Sequence, residues 1–188
     1  GLPLQVCMIG DVLAGSAPQA RFYLFPDLLT IAPEDGNRLG DQVARDGALL
    51  VWVYAPGAIT EDLLTGRPMS YLTGIKLTLL DSRGPLQVRV EAFGSLPGSG
   101  LDAPLTYGLA EGAPRFFCAD PAVEWLGTLV ESTRRPVRDE DRPAYCGLAL
   151  KRFAACTSVF SAAPLLPPEV LRGLAGRADL TAWADGRA

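Results

Sequence analysis

The stretch Ala48-Leu49-Leu50-Val51-Trp52-Val53-Tyr54-Ala55-Pro56-Gly57 constrains this chain more than any other. It is apolar almost throughout and rich in β-branched and aromatic residues, with none of the alternation of a half-solvated strand. Such a run needs cover on both faces, which predicts a central strand of a parallel sheet with helices on either side. Pro56 and Gly57 end it, because proline offers no ladder donor and glycine favours a turn. Open α/β sheets collect ligands and nucleophiles at the carboxyl ends of their strands. The turn from Tyr54 to Gly57 is therefore the first place to look for chemistry.

The flanking sequence supports that placement. Pro33-Glu34-Asp35 opens a helix, with proline in the first turn and acids at the positive end of the dipole. Leu39, Val43 and Ala44 fall on its sheet-facing side, and Gly47 is the C-terminal stop. Ala20 to Phe25 reads as a second strand, closed by Pro26-Asp27. Strand, helix and strand with short links form a βαβ unit, so the two strands are expected to be parallel. Leu4 to Ile9 reads as one more short strand, stopped by Gly10-Asp11.

Downstream, Thr60-Glu61-Asp62 is an N-cap signal, and Met69 to Thr73 continues the helical pattern to Gly74. Lys76–Leu80 and Leu86–Glu91 read as strands of a β-hairpin around Asp81-Ser82-Arg83-Gly84-Pro85. Phe93 to Pro114, dense in small residues and poor in periodicity, reads as an extended surface segment. Arg115 to Ala119 is a strand. Asp120-Pro121 then caps a helix carrying Val123, Trp125 and Leu126, with Trp125 facing the sheet. Glu131 to Arg142 is a solvated loop, and Tyr145–Phe153 and Thr157–Ser161 are strands. Pro167-Pro168-Glu169 starts an amphipathic helix, and Leu180 to Trp183 makes a last edge strand. The sum is an α/β domain with a parallel core and an antiparallel hairpin insertion at about residues 76–91.

Charge and composition exclude several classes of function. With 188 residues, 48% hydrophobic and a net charge of -4, the chain has length enough for one domain with its own core. It lacks the basic stripe of a nucleic-acid binder. No apolar run reaches the roughly 20 residues of a membrane span, and Gly1-Leu2-Pro3 does not open a secretory leader. There is no histidine at all, which removes the commonest general base and metal ligand. Cys7, Cys118, Cys146 and Cys156 show no CxxC spacing and read as small buried hydrophobes. No cofactor or metal site is expected.

In order and motif, the chain resembles the β-galactosidase trimerisation domain that accompanies family 42 glycoside hydrolases. The residues that carry the resemblance are Gly1-Leu2-Pro3 into Asp11-Val12-Leu13, and Phe22-Tyr23-Leu24-Phe25. Arg45-Asp46-Gly47 followed by Leu50 to Gly57 is the most specific piece. Leu72-Thr73-Gly74-Ile75, Asp120 with Leu126-Gly127, Ser158 to Ser161, Leu165-Leu166-Pro167 and Leu171-Arg172 complete it. The resemblance implies a class I glutamine amidotransferase-like, flavodoxin-like domain: a three-layer α/β/α fold on a mainly parallel sheet. It also implies that residues 1–188 form a single domain, a fragment lacking the first strand and helix of that family. Where the family carries Ala-Gly-Val-His, this chain has Ala178-Asp179-Leu180-Thr181.

Catalytic relatives of the amidotransferase type hold a cysteine in an elbow at the end of the strand described first, stabilised by a helix N-terminus. Here that elbow reads Tyr54, Ala55, Pro56, Gly57. It has no nucleophile of the required kind, and the chain has no histidine base. No catalytic residue is therefore assigned. Asp27, expected beside Tyr54 on the neighbouring strand, completes a candidate remnant cleft of Asp27, Tyr54, Ala55, Pro56 and Gly57. The acids Asp11, Asp27, Glu61, Asp62, Asp81, Asp120 and Glu124 do not form a glycosidase pair by any spacing argument, and Asp27 and Asp120 read as turn and cap residues. Trp52, Trp125 and Trp183 read as core residues before sugar platforms.

Two functions of different classes follow. One is a non-catalytic accessory or oligomerisation domain of a β-galactosidase-like glycoside hydrolase, self-associating or packing against a glycosidase barrel. The alternative is a small-molecule or sugar-binding module that uses the degenerate cleft.

Overall fold

The computed structural model describes residues 5–59, 66–80, 82–91, 103–131 and 144–177. Helix α1 (Ile9–Leu13) and strand β1 (Phe22–Phe25) lead into α2 (Pro33–Val43) and β2 (Ala48–Val53). Then come α3 (Gly66–Thr73), β3 (Leu77–Leu80), β4 (Gly84–Val90) and β5 (Leu105–Gly112). β6 (Arg115–Cys118), β7 (Glu124–Leu129), β8 (Cys146–Arg152), β9 (Cys156–Ser161) and α4 (Pro168–Arg177) complete the described elements.

Helix α2 starts as its sequence dictates, with Pro33 in the first turn, Glu34 and Asp35 near the free N–H groups, and Leu39 and Val43 fully buried at i, i+4 spacing. A turn with Asp46 and Gly47 at positive φ delivers the chain to β2. Every residue of β2 is buried, as the unbroken apolar run requires. Its side chains divide between two cores. Leu49, Val51 and Val53 join the larger cluster, to which α4 contributes Val170 and Leu174. Ala48, Leu50 and Trp52 join Phe25, Leu39 and Val43 on the other face, where Trp52 stacks on Phe25 at 4.2 Å.

β1 and β2 pair in parallel, with Phe22 opposite Leu49 and Phe25 opposite Trp52, and β2 pairs in parallel with β9. There the parallel sheet ends. The nine-stranded sheet runs β1-β2-β9-β8-β7-β4-β5, and every pairing beyond β9 is antiparallel. β3 and β6 form a side ribbon joined to β8 through Cys118 opposite Cys146. The sheet curls until β5 reaches the end of β9: Tyr107 Oη lies 3.0 Å from Ser161 Oγ, and the Gly108 backbone rests against Ala163.

This architecture corrects the expected fold. The chain is a strongly curled mixed sheet with four helices among the described residues, not a mainly parallel flavodoxin-like three-layer α/β/α fold. Helix α2 covers the Trp52 face of β2, and α4 adds Val170 and Leu174 to the core on the other face. The hairpin expected at 76–91 does not form: β3 pairs with β6, while β4 pairs with β5 and β7. β4 alternates buried and less buried residues and so has one face for the core, but its partner is the segment read as a surface link. That segment contains β5, whose glycines lower its strand signal yet let it approach β4 and Ala163 closely.

The helix expected after Asp120 is strand β7. Asp120 Oδ1 accepts the Ala122 N–H at 2.9 Å, a turn made by the side chain rather than a helix cap, and Trp125 is 47% exposed instead of facing a core. Gln5 to Met8, expected as strand, carries no regular structure, and Val6 and Met8 are exposed. Cys7 is likewise exposed, whereas the other three cysteines are buried. The helix start at Thr60-Glu61-Asp62, the strand Leu180 to Trp183 and nearly all of the loop after Glu131 lie outside the described residues.

Candidate functional site

The turn after β2 has a defined geometry. Tyr54 sits at φ +67°, a left-handed conformation that a non-glycine residue seldom holds without support from its surroundings. Its N–H donates to the Ser161 carbonyl at 2.7 Å, continuing the β2–β9 ladder through the turn. Gly57, at φ +66°, donates its N–H to the Leu28 carbonyl at 2.7 Å, and Ile59 donates to Leu29, so the turn is clamped to the chain leaving β1. Ala55, Pro56, Gly57 and Ala58 are all buried. A side chain at Gly57 would meet Ile31 and Leu72 at 3.4 Å, so α3 closes over this part of the turn.

The side chain of Tyr54 is engaged as well. Its hydroxyl donates to the Pro114 carbonyl at 2.8 Å, and its ring stands edge-on to Phe116 at 6.3 Å. Burial raises its pKa above the ordinary phenol range, so the group stays neutral at physiological pH with its proton directed at a carbonyl. Asp27 lies at the same edge of the sheet, two residues beyond the Phe25–Trp52 pair, with its side chain in solvent. The structure thus gathers Asp27 and Tyr54 to Gly57 at one edge, with only Tyr54 and Asp27 presenting polar side chains there. A cavity of about 160 Å3 lies near the amino ends of β1 and β2, away from this turn, with Tyr23, Gln42 and Arg45 in its lining.

Replacing Tyr54 with phenylalanine leaves the Pro114 carbonyl without this donor and should cost about 1 kcal/mol in urea unfolding. A loss below a few tenths would show that water replaces the phenol. Tyr107 is the second constrained phenol. Ser161 Oγ–H donates to the Ala163 carbonyl at 2.8 Å, so the Tyr107 hydroxyl must donate to Ser161 Oγ. Burial drives the Tyr107 pKa far up. Both phenols have folded-state pKa values above the ordinary value of 10.0, so the stability they confer is full below that pH. It should fall as pH rises from there through the folded-state values, because the unfolded chain ionises first. Absorbance titration of tyrosinate in the folded protein checks this. Complete ionisation of all five tyrosines near the ordinary value, without unfolding, would contradict it.

A third polar cluster joins β8 to the turn after β6. Lys151 Nζ donates to Asp120 Oδ2 at 2.7 Å and to the Gly74 carbonyl at 2.9 Å, and Asp120 Oδ2 also accepts the Lys76 N–H at 3.2 Å. Burial by itself would raise the Asp120 carboxyl. The Lys151 ammonium and the Ala122 and Lys76 N–H groups outweigh it and hold the pKa below the usual carboxylate range. Its contribution to stability is therefore present above the unfolded value of about 4 and lost as pH falls through the lower folded value. Asp120→Asn should cost about 1–2 kcal/mol at neutral pH and flatten the acid limb of the stability curve. An unchanged acid limb in this variant would refute the assignment.

Two further groupings had no sequence signal. Arg115, 1% exposed, is held by Glu131 at 2.7 Å, and Cys118 faces Cys146 across β6 and β8. Glu131 lies just beyond β7 and Cys146 on β8, each far along the chain from its partner on β6, and no spacing rule links them. Among the described residues no group of three or more His, Cys, Asp or Glu side chains could hold a metal ion, and no helix is long and apolar enough to cross a membrane.

Fold and turn together define a mixed α and β domain on a curled sheet, in which the turn after β2 is filled with packed side chains. No family model matches the sequence, and no curated protein matches it. Among solved structures the chain is similar to the β-galactosidase from Rahnella sp. R3, with a TM-score of 0.54 at 14% identity over 85% of this chain. It is also similar to the β-galactosidase from Bacillus circulans sp. alkalophilus, with a TM-score of 0.52 at 17% identity over 84% of this chain. The chain spans 23% and 22% of those two chains. At these identities the likeness is one of fold, shared with one part of a much larger enzyme.

Proposed function

We propose that this chain is a non-catalytic accessory domain of a β-galactosidase-like glycoside hydrolase, and that it serves assembly by packing against a neighbouring subunit or the catalytic domain. The observation that carries this reading is the fold likeness, which takes in 85% of this chain yet only 23% of a β-galactosidase. The turn adds support, since the hydroxyl of Tyr54 is committed to Pro114 and the residues after it are buried. A surface suited to assembly exists at the β1 edge. β1 pairs only with β2 among the described residues, and Leu24, Leu29 and Ile59 are exposed beside it. Unpaired edges and clustered apolar residues favour contact with another chain or domain.

The test compares the isolated chain with the polypeptide that carries it, with and without this segment. Hydrolysis of a nitrophenyl β-galactoside and the mass in solution by light scattering are both measured. The isolated chain should be inactive, and removing the segment should lower the assembly state of the parent. Galactoside hydrolysis by the isolated chain, or a parent whose number of subunits and activity survive the deletion unchanged, would sink the proposal.

A further inference from the structure

We propose that Cys118 and Cys146 form a redox-modifiable dithiol that closes to a cross-strand disulfide on exchange with an oxidised low-molecular-weight disulfide of the glutathione type. The two residues stand directly opposite one another on antiparallel β6 and β8, and they form the one register pair that joins these strands. Directly opposite residues in an antiparallel pair have Cα atoms about 4.5 or 5.5 Å apart, both inside the roughly 4.4–6.8 Å range of disulfides. Cβ atoms of such a pair generally lie about 4.5–5.5 Å apart, so closing to about 4 Å asks for a shift of about 1 Å. Both residues are buried, at 6% and 3% exposure, and the Cys146 thiol donates to the Leu148 carbonyl at 3.5 Å. The other two cysteines are placed elsewhere: Cys156 sits opposite Ala48, and Cys7 lies exposed before α1.

The surroundings divide the roles. The neighbouring Cys146 thiol, with the Asp120 N–H and the Lys151 ammonium, outweighs burial and the Asp120 charge, and lowers the Cys118 pKa. The neighbouring Cys118, followed by burial, raises that of Cys146. Cys118 is accordingly the attacking thiol and Cys146 the resolving one. The Cys118 thiolate attacks one sulfur of the small disulfide, breaking its S–S bond and expelling one thiolate. Cys146 then gives up its proton and attacks the Cys118 sulfur of the mixed disulfide, expelling the second thiolate. The small disulfide is reduced to two thiols, and the protein loses two hydrogen atoms. Both sulfurs are shielded, so exchange requires brief opening of the β3–β6 ribbon, which this one register pair ties to β8. The product staples the ribbon to the main sheet. None of this depends on the glycosidase reading.

The experiment equilibrates the folded chain with glutathione disulfide, blocks remaining thiols with an alkylating agent, and digests without reductant. The expected result is a Cys118–Cys146 cross-linked peptide that dithiothreitol reverses. An apparent melting temperature raised by about 5–10 °C in the oxidised protein should accompany it. Cys146→Ser should instead trap a glutathione adduct on Cys118. If that variant does not fold, the peptide map of the unsubstituted chain decides alone. Recovery of both cysteines alkylated, a cross-link to Cys7 or Cys156, or a cross-link that appears only in denaturant would overturn the proposal.

Discussion

Gly108→Ala should destabilise the domain by at least about 3 kcal/mol, close to unfolding it. Gly108 has φ +112°, where an L side chain is strained whatever the space around it. Space is also lacking. A Cβ at 108 would run into the Leu86 carbonyl oxygen of the paired strand and stand 2.8 Å from the Ala163 Cβ. Neither obstacle is the end of a flexible side chain, so relief means moving β5 away from β4 or from the chain after β9. That movement would disturb the contact that closes the curl, including the Tyr107–Ser161 bond. Urea unfolding followed by tryptophan fluorescence measures the loss. Gly40→Ala is the control, because Gly40 lies within α2 with nothing within 4 Å of its Cβ position. It should gain about 0.5–1 kcal/mol from helix propensity. Similar effects for the two variants would refute the view that β5 is pinned at Gly108.

The second large effect is expected at the buried arginine. Arg115 donates to both carboxylate oxygens of Glu131, at 2.7 and 3.5 Å, to the Val130 carbonyl at 2.9 Å and to Ser82 Oγ at 3.2 Å. Its guanidinium packs beneath Gly84, and its Nε has no partner among the described residues. Glu131 is partly open to solvent, with 29% of its side chain exposed, while Arg115 is not. Glu131→Ala therefore strands a buried charge, and should cost about 3 kcal/mol. Arg115→Met should cost less, because Glu131 can turn to water and a methionine can fill the space. The double variant should lie closer to Arg115→Met than to the sum of the two. A double-mutant cycle reads the coupling directly, and simple additivity would show that the pair contributes nothing beyond its separate parts.

The parts of this fold legible in the sequence are those whose signal is local. The β1-α2-β2 unit was readable because α2 combines Pro33, two acids in its first turn and an i, i+4 apolar pair, while β2 is apolar without a break. The Tyr54–Gly57 turn was readable for the same reason, as was its lack of a cysteine. The errors fall where long-range pairing overrides a local cue. Asp120-Pro121 has the form of a helix cap, yet the next residues pair with β8 as β7, and the carboxylate serves Lys151, Lys76 and Ala122 instead. The run from 93 to 114 looked like a link because glycines weaken strand propensity, but at Gly108 the missing side chain is what admits the neighbouring strand. β3 and β4 are near in sequence and look like a hairpin, but each has a better partner farther along the chain.

By itself the sequence determined that β2 must be buried on both faces, that β1 would lie parallel to it, and that the turn from Tyr54 to Gly57 holds no cysteine. These follow from residue types and short spacings, which survive in any arrangement of the rest. Only the tertiary structure decided that the sheet turns antiparallel after β9 and curls until Tyr107 meets Ser161. It alone placed Cys118 opposite Cys146, and Arg115 against Glu131. Those choices depend on which distant strands find one another, through backbone ladders that any sequence can offer and side-chain fits that appear only once the strands are adjacent.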